Sequence, residues 1–354
     1  MIDWRSDESH LLLNPRMPAR ERSKLEALVD AVPALPAHVW LATSGSTGAL
    51  KLTALSKQAL LASAAAVNAH LGSTADDVWA CVLPTFHVGG LGIYARAFLT
   101  GAPVVESSWA ADVFVVMCHA QGVTLASLVP AQVQDLVTSK LEAPPSLRAV
   151  VVGGGALTDS LYDEAVALGW PVLPSYGMTE CCSQVATARP GSRELELLTH
   201  VEARVEDDGR LAIRSPALLT GYALYEGEEA RLVDPPVEGW FLTGDRGRVE
   251  GRVLRVDGRV GEFVKIGGES VDLSRLDRIL AEITPDAAVA AVPDDRLGFV
   301  IHLYVASGDP AVIAEAFGAR VHPFERARKV HRVAAIPRSP LGKLLRARLA
   351  ELAE

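Results

Sequence analysis

The sequence predicts an α/β fold. It consists of a large N-terminal domain of layered α/β sheets with a small β-rich subdomain, followed by a small α+β C-terminal domain. Three observations carry this. Between about residues 39 and 173, short apolar runs alternate with helical periods, the pattern of a largely parallel sheet covered on both faces. From about residue 196, short alternating runs are split by Asp-Gly, Glu-Gly and Gly-Arg turns. From about Glu262, strands and helices mix again. A chain of 354 residues has room for one large domain and a smaller one, and the expected division is 1–257 and 258–354, with the β-rich part at about 196–257.

Each element has a local reason. Arg20 to Val32 reads as a helix with Leu25, Leu28 and Val29 on one face, ended by Pro33 and Pro36. Val39–Ala42 is a short buried strand and Lys51–Leu55 the strand returning from it. Ser56 caps a helix through Ala59, Leu60, Ala64, Val67 and Leu71, which Gly72 stops. Asp77–Leu83 is a strand, and Gly89-Gly90 opens a helix over Leu91–Leu99. Strands at 103–105, 123–129, 147–152 and 172–173 then alternate with helices at 110–120, 130–137 and 158–168, the last capped by Thr158. Strands at Val201–Val205, Arg210–Arg214 and Arg248–Val256 make the β-rich part. The tail has a helix Ser274–Ile283, strands Ala287–Val292 and Phe299–Ala306, a helix near Pro310–Phe317 and a strand near Val330–Ile336.

Composition narrows the function classes. Hydrophobic residues are 49% and charged residues 22%, as in ordinary globular proteins. A net charge of -9 argues against a nucleic-acid partner, though not against a local anion site. Cys81, Cys118, Cys181 and Cys182 form no C-x-x-C pair and fit a reducing compartment, so a cytoplasmic location is expected. The start, Met1 to Arg5, does not read as a signal peptide, and no apolar run approaches the ~18 residues of a membrane span.

Several stretches carry chemistry. Thr43, Ser44, Gly45, Ser46, Thr47 and Gly48, with Lys51 after them, combine backbone freedom, hydroxyl donors and a cation, a set suited to a polyphosphate. Taken alone, a flexible Gly/Ser surface loop is equally good. The stretch is not a Walker A loop, because Lys51 lies between two leucines. His87 follows Phe86 at the end of a strand, where active-site groups of open α/β sheets gather. Arg96 lies among Ile93, Tyr94, Ala95, Ala97 and Phe98. It is either a buried guanidinium needing a partner or a residue on the helix's solvent face. Gly153, Gly154 and Gly155, with Ala156, fail the G-x-G-x-x-G spacing, which ranks hydride chemistry low, but they allow a purine to lie close. In Ser175-Tyr176-Gly177-Met178-Thr179-Glu180, Tyr176 can stack on a purine, Thr179 can bond a phosphate and Glu180 can hold Mg²⁺. Asp245 can accept from both hydroxyls of a ribose, and Arg259, expected in a turn, can reach ribose or phosphate.

Five ordered segments, Thr43–Lys51, Pro84–Gly90, Ser175–Glu180, Thr243–Asp245 with Arg259, and Pro337–Lys343, together resemble the adenylate-forming superfamily of acyl-CoA synthetases, luciferases and adenylation domains. Within it, Val152–Gly155, Ser175–Gln184 and Leu125–Pro130 look most like the o-succinylbenzoate–CoA ligases of menaquinone biosynthesis. The resemblance implies an AMP-forming acid–CoA ligase using ATP, Mg²⁺ and coenzyme A on a small carboxylic acid. The phosphate loop, Gly154, Gly155, Ala156, Ser175, Tyr176, Gly177, Thr179, Asp245 and Arg259 would border the nucleotide. Glu180 would hold the metal. His87, Arg96, Gly177, Met178 and Ser183 would border the acid, with Arg96 near a distal carboxylate. Lys343, Glu180 and His87 would be catalytic. The small domain would be a mobile lid that exchanges Lys343 for Gly267-Gly268 beside coenzyme A.

Two departures stand out. The segment before the phosphate loop is short, and Gly261 occupies the hinge position where the family commonly has Asp or Lys. A homodimer is compatible with the resemblance. The competing readings are a ligase for another aryl, fatty or amino acid, a nucleotide-binding relative without turnover, and, least favoured, an NAD-dependent redox protein.

Overall fold

The computed structural model describes residues 2–44, 50–155, 157–260, 263–266, 269–294, 297–339, 342 and 344–352. Among these residues three sheets form.

The first sheet begins with β1 (His10–Leu12), which sequence reading did not anticipate. Helix α1 (Ala19–Ala31) buries Leu25 and Leu28 and leads to β2 (His38–Ser44), parallel to β1. β3 (Leu50–Ser56) returns antiparallel to β2, in a register from His38↔Ser56 to Ser44↔Leu50. The Gly/Ser stretch therefore joins two paired strands. In α2 (Lys57–Leu71) the Ser56 hydroxyl accepts from the Ala59 N–H, and Gly72 ends the helix in the left-handed region at φ 59.

The alternating region supplies β4 (Trp79–Cys81), α3 (Val88–Thr100), β5 (Val104–Glu106), α4 (Ala111–Gln121), β6 (Leu125–Leu128), α5 (Pro130–Thr138), β7 (Ala149–Val152), α6 (Asp159–Ala167) and β8 (Val172–Met178). The five strands are parallel, in the order β5-β4-β6-β7-β8. Every residue of β6 and β7 is buried. Leu125 and Val151 face one apolar cluster, while Ala126 and Val150 face another. This two-sided burial is why those strands read as nearly continuous apolar runs, broken only by Ser127.

β8 runs further than the expected strand at 172–173. Residues Ser175–Met178 remain in strand because β9 (Ser183–Thr187) folds back on them through a short 3-10 turn, Thr179–Cys181. The turn is tight. Cys182 and Ser183 hold positive φ of 54 and 119, and a Cβ on Gly177 would fall 1.7 Å from the Ser183 carbonyl oxygen. No side chain fits at 177.

After β10 (Leu195–Leu197), β11 (Glu202–Val205) and β12 (Arg210–Arg214), the chain leaves the central sheet. The hairpin β13 (Gly221–Glu226) and β14 (Glu229–Val233) joins β3, with Gly221↔Ala54 and Tyr222↔Thr53. It then returns as β15 (Phe241–Glu250) and β16 (Val253–Arg259). The β-rich stretch thus divides between two sheets, β1-β2-β3-β13-β14 and β11-β12-β15-β16-β10-β9-β8-β7-β6-β4-β5. Asp257–Arg259 is not a turn. It ends β16, with Arg259 opposite Asp245, because the β15–β16 ladder extends that far.

The last sheet holds β17 (Phe263–Ile266), β18 (Glu269–Asp272), β19 (Ala287–Asp294), β20 (Gly298–Val305) and β21 (Ala327–Arg332). Its helices are α7 (Leu273–Ala281), capped by Asp272, α8 (Pro310–Gly318), capped by Asp309, and α9 (Arg346–Glu351). It has its own apolar core around Leu276, Ile301, Leu303 and Phe317. Gly342 sits beside α5, since a Cβ on it would lie 3.3 Å from the Ala131 Cβ. Among the described residues no helix is long and apolar enough to cross a membrane.

Candidate active site

The site is built where the first sheet meets the turn after β8. Thr43 and Lys51 face each other at the end of the β2–β3 ladder, and the Thr43 hydroxyl is 3.1 Å from that of Thr53. Gly45, Ser46, Thr47, Gly48, Ala156, Gly267, Gly268 and Lys343 lie outside the described residues, as does the hinge residue Gly261; Ser44 is described only as the last residue of β2. The Lys51 ammonium stands 3.3 Å from the centre of the Tyr222 ring. The Tyr222 hydroxyl donates to Glu180 Oε1 at 2.7 Å. Burial pulls the Lys51 pKa below its ordinary value. Glu180 opposes that shift and Arg259 adds to it, so these three charges share one field.

Asp245 forms the next part. Its Oδ2 accepts from the Tyr176 hydroxyl at 2.8 Å, and its Oδ1 is 3.6 Å from Arg259 Nε. Its backbone N–H donates to the buried Thr243 hydroxyl at 3.1 Å. Burial first, and the Asp245 carboxylate second, push the Tyr176 phenol up, so it stays a donor. The phenol fixes the plane of its ring, while each Asp245 oxygen keeps a lone pair for a ribose hydroxyl. Sequence reading treated Tyr176 and Asp245 separately; they are bonded to each other.

Gly153 lies beside this part, its Cβ position 3.7 Å from the Ser175 carbonyl oxygen. Gly154 and Gly155 are exposed, with Gly154 at φ 79. The Ser175 hydroxyl turns away, bonding Thr187 Oγ1 at 3.0 Å and the Ala186 carbonyl at 3.2 Å. Ser175 thus offers this surface its backbone. Thr179 opens the 3-10 turn, its carbonyl accepting from the Cys182 N–H at 3.0 Å.

The acid-facing candidates lie on and beneath α3. His87 is the residue before that helix, its ring 4.7 Å from that of Phe86, and burial lowers its pKa, so it is neutral at pH 7. Met178 packs in the same apolar cluster as Leu91, Ala95 and Tyr222. Ser183 pairs with Met178 across the β8–β9 turn.

Arg96 is not on the solvent face; it is 2% exposed. Its guanidinium lies 5.3 Å from the Trp79 ring and donates to Ser127 Oγ at 3.2 Å. Gly92, one turn earlier, makes the space, since a Cβ there would come within 3.1 Å of an Arg96 nitrogen. Arg96 Nε has no hydrogen-bond partner, and no carboxylate pairs with the group among the described residues. Burial lowers its pKa to about 10, which leaves it charged at neutral pH. It lies about two helical turns along α3 from His87.

Tyr222, Ser127 and Trp79 were not singled out from sequence. A polar Ser127 inside an apolar strand was the one available signal.

The arrangement suits a nucleotide bound through a divalent metal. Glu180 Oε1 is taken by Tyr222, whereas Oε2 has no protein partner among the described residues. Those residues contain no cluster of three metal-ligating side chains. A single carboxylate, completed by phosphate oxygens and water, matches the habit of Mg²⁺.

Comparison with known proteins agrees with this geometry. Residues 14–223 match the family model for the AMP-binding enzymes. A 2-succinylbenzoate–CoA ligase of Bacillus licheniformis is 30% identical over 331 residues, covering 87% of this chain and 68% of the relative. The o-succinylbenzoate CoA synthetase MenE of Bacillus subtilis, in complex with the acyl-adenylate intermediate OSB-AMP, superposes with a TM-score of 0.79 at 26% identity, over 88% of this chain and 68% of that one. The same enzyme in complex with ATP and a magnesium ion gives a TM-score of 0.77 at 26% identity, over 88% and 69%. With more than half of its length matched by the family model, the chain belongs to the AMP-binding enzymes, the adenylate-forming superfamily.

Proposed function

We propose that this protein is an ATP-dependent acid–CoA ligase that acts through an acyl-adenylate, and that its acid is o-succinylbenzoate. The observation that carries the proposal is the convergence of Lys51, Glu180, Asp245 and Arg259, linked through Tyr222 and Tyr176, from three strands and a turn far apart in sequence. Arg96, a buried cation with no carboxylate partner among the described residues, supports an acid with a second, distal carboxylate.

In the first half-reaction the substrate carboxylate attacks the α-phosphate of ATP and pyrophosphate leaves; in the second the coenzyme A thiol attacks the acyl carbon and AMP leaves. Asp245 and Arg259 hold the ribose, and Tyr176 and Gly153–Gly155 flank the base. Lys51 and the Gly/Ser stretch neutralise the departing pyrophosphate. Glu180 supplies a carboxylate oxygen for Mg²⁺, which neutralises phosphate charge when bound. Lys343 stabilises charge between the α-phosphate and the attacking carboxylate. His87, neutral and half-buried, lines the acid's entry.

The division at residues 257 and 258 is part of the proposal. Gly258 and Arg259 still belong to β16, so the part that moves is the chain after the hinge residue Gly261, which turns there and swaps Lys343 for Gly267-Gly268 at the coenzyme A channel. The separate core of the last sheet and the position of Gly342 against Ala131 support a lid that delivers Lys343 to the adenylation side. A cytoplasmic location and a homodimer belong to the same reading.

The test is pyrophosphate release followed by thioester formation with o-succinylbenzoate, benzoate, acetate and a fatty acid. Preference for o-succinylbenzoate is expected. A preference for any of the others would keep the ligase and replace its substrate.

A further inference from the structure

The proposed mechanism gives Glu180 and Lys51 roles but leaves the residue between them unassigned. Tyr222 is 9% exposed and belongs to β13, across from Thr53 and one ladder position from the Lys51–Leu52 segment. It touches both charges at once, through its hydroxyl to Glu180 Oε1 at 2.7 Å and through its ring face to the Lys51 ammonium at 3.3 Å. The link is reinforced in the backbone, where the Leu219 N–H, just before β13, donates to the Glu180 carbonyl at 2.8 Å. The approach to β13 therefore holds Glu180 by main chain and side chain together. Burial, then the Glu180 carboxylate, push the Tyr222 phenol up, in keeping with its hydroxyl acting as the donor. Among the described residues Lys51 has no carboxylate within ion-pair distance, and the aromatic face takes that place.

We propose that Tyr222 is a positioning residue for the metal-dependent step. Its hydroxyl ties up Glu180 Oε1 and leaves Oε2 for the metal, while its ring parks the Lys51 ammonium until a nucleotide phosphate draws it off. This rests on the ligase reading for its ligand, Mg²⁺·ATP, but not for turnover. The two contacts come from different parts of one side chain, so they separate by substitution. Tyr222→Phe keeps the ring and loses the bond to Glu180. Tyr222→Leu loses both.

The test measures binding without acid or coenzyme A, using Mn²⁺ as a paramagnetic probe with ATP and following free Mn²⁺ by electron paramagnetic resonance. Tyr222→Phe should raise the Kd of Mn²⁺ in the presence of ATP about tenfold, as expected for one hydrogen bond to a charged group. ATP affinity at saturating metal should stay within twofold. Tyr222→Leu should add a several-fold loss of ATP affinity. Circular dichroism and melting establish that each variant is folded; if Tyr222→Leu does not fold, the Tyr222→Phe result decides. Unchanged metal affinity in folded Tyr222→Phe overturns the proposal, and so does an equal loss of metal and ATP affinity in both variants. Wild-type protein that binds Mn²⁺·ATP but releases no pyrophosphate with any acid would sink the ligase reading alone. Wild-type protein that binds no metal–nucleotide would sink both.

Discussion

Arg148 and Arg96 lie against the same parallel sheet and are treated in opposite ways. Arg148 closes on Asp77 with two bonds, Nε to Oδ1 at 2.8 Å and a terminal nitrogen to Oδ2 at 2.7 Å, and a third bond reaches the Leu71 carbonyl at 2.7 Å. Its charge braces the end of α2 against the starts of β4 and β7. Arg96 is more deeply buried, yet it has a neutral hydroxyl, an aromatic face and an empty Nε. A buried cation without its anion is costly to keep. The chain supplies the counter-charge where architecture needs it and withholds it at Arg96, where the substrate proposed above would bring one.

The comparison can be broken or sharpened in four ways. The largest effect is expected at Lys343, the other cation assigned to a passing ligand. Lys343→Ala should lower adenylate formation by about 10²–10³, the scale of one preorganised donor, and spare thioester formation from supplied acyl-adenylate. Equal loss in both half-reactions of a folded variant would reject the exchange with Gly267-Gly268.

Next, Arg96→Met should raise KM for a dicarboxylic acid by about 30-fold, the lower range for removing one member of a buried charge pair, and leave KM for a monocarboxylic acid nearly unchanged. Its unfolding stability should hold or rise, because an unpaired buried charge has been removed. Equal kinetic effects on both acids would sink the distal-carboxylate role.

Arg148→Met should do the reverse. Its side chain is 40% exposed, so solvent screens part of the loss, and about 1–3 kcal/mol of stability should go in urea unfolding with KM unmoved.

The smallest effect is a matter of pH. The Arg148 bonds hold the Asp77 carboxyl at about 2, below its ordinary 3.8, so the folded state binds that proton less readily than the unfolded chain. The stabilisation is complete above about pH 4 and is lost as pH falls through about 2. Its full size is about 2 kcal/mol. The stability gap between wild type and Asp77→Asn should close over that window and stay constant above it.

What the sequence makes legible follows from distance along the chain. The parallel strands, the Ser56 cap and the Gly72 stop depend on neighbouring residues, and all were readable. So was the motif order, since each segment carries its own residue types. Features that depend on remote pairing were not. The extension of β8 to Met178 requires β9, and the strand position of Arg259 requires β15. Tyr222 gains its place only when β13 pairs with β3, about 170 residues earlier. The burial of Arg96 rests on the missing side chain of Gly92, which periodicity alone does not reveal.

The excursion of β13 has a mechanical consequence. The chain runs from β12 in the central sheet to β13 in the first sheet and back to β15, like a thread drawn through two pieces of cloth. Parting the two sheets at the cleft would strain the two chain crossings that flank the β13–β14 hairpin and break the tie between Leu219 and the turn that bears Glu180. The chain itself therefore stitches the two nucleotide walls together, and the lid motion proposed above is left to the strands beyond residue 260.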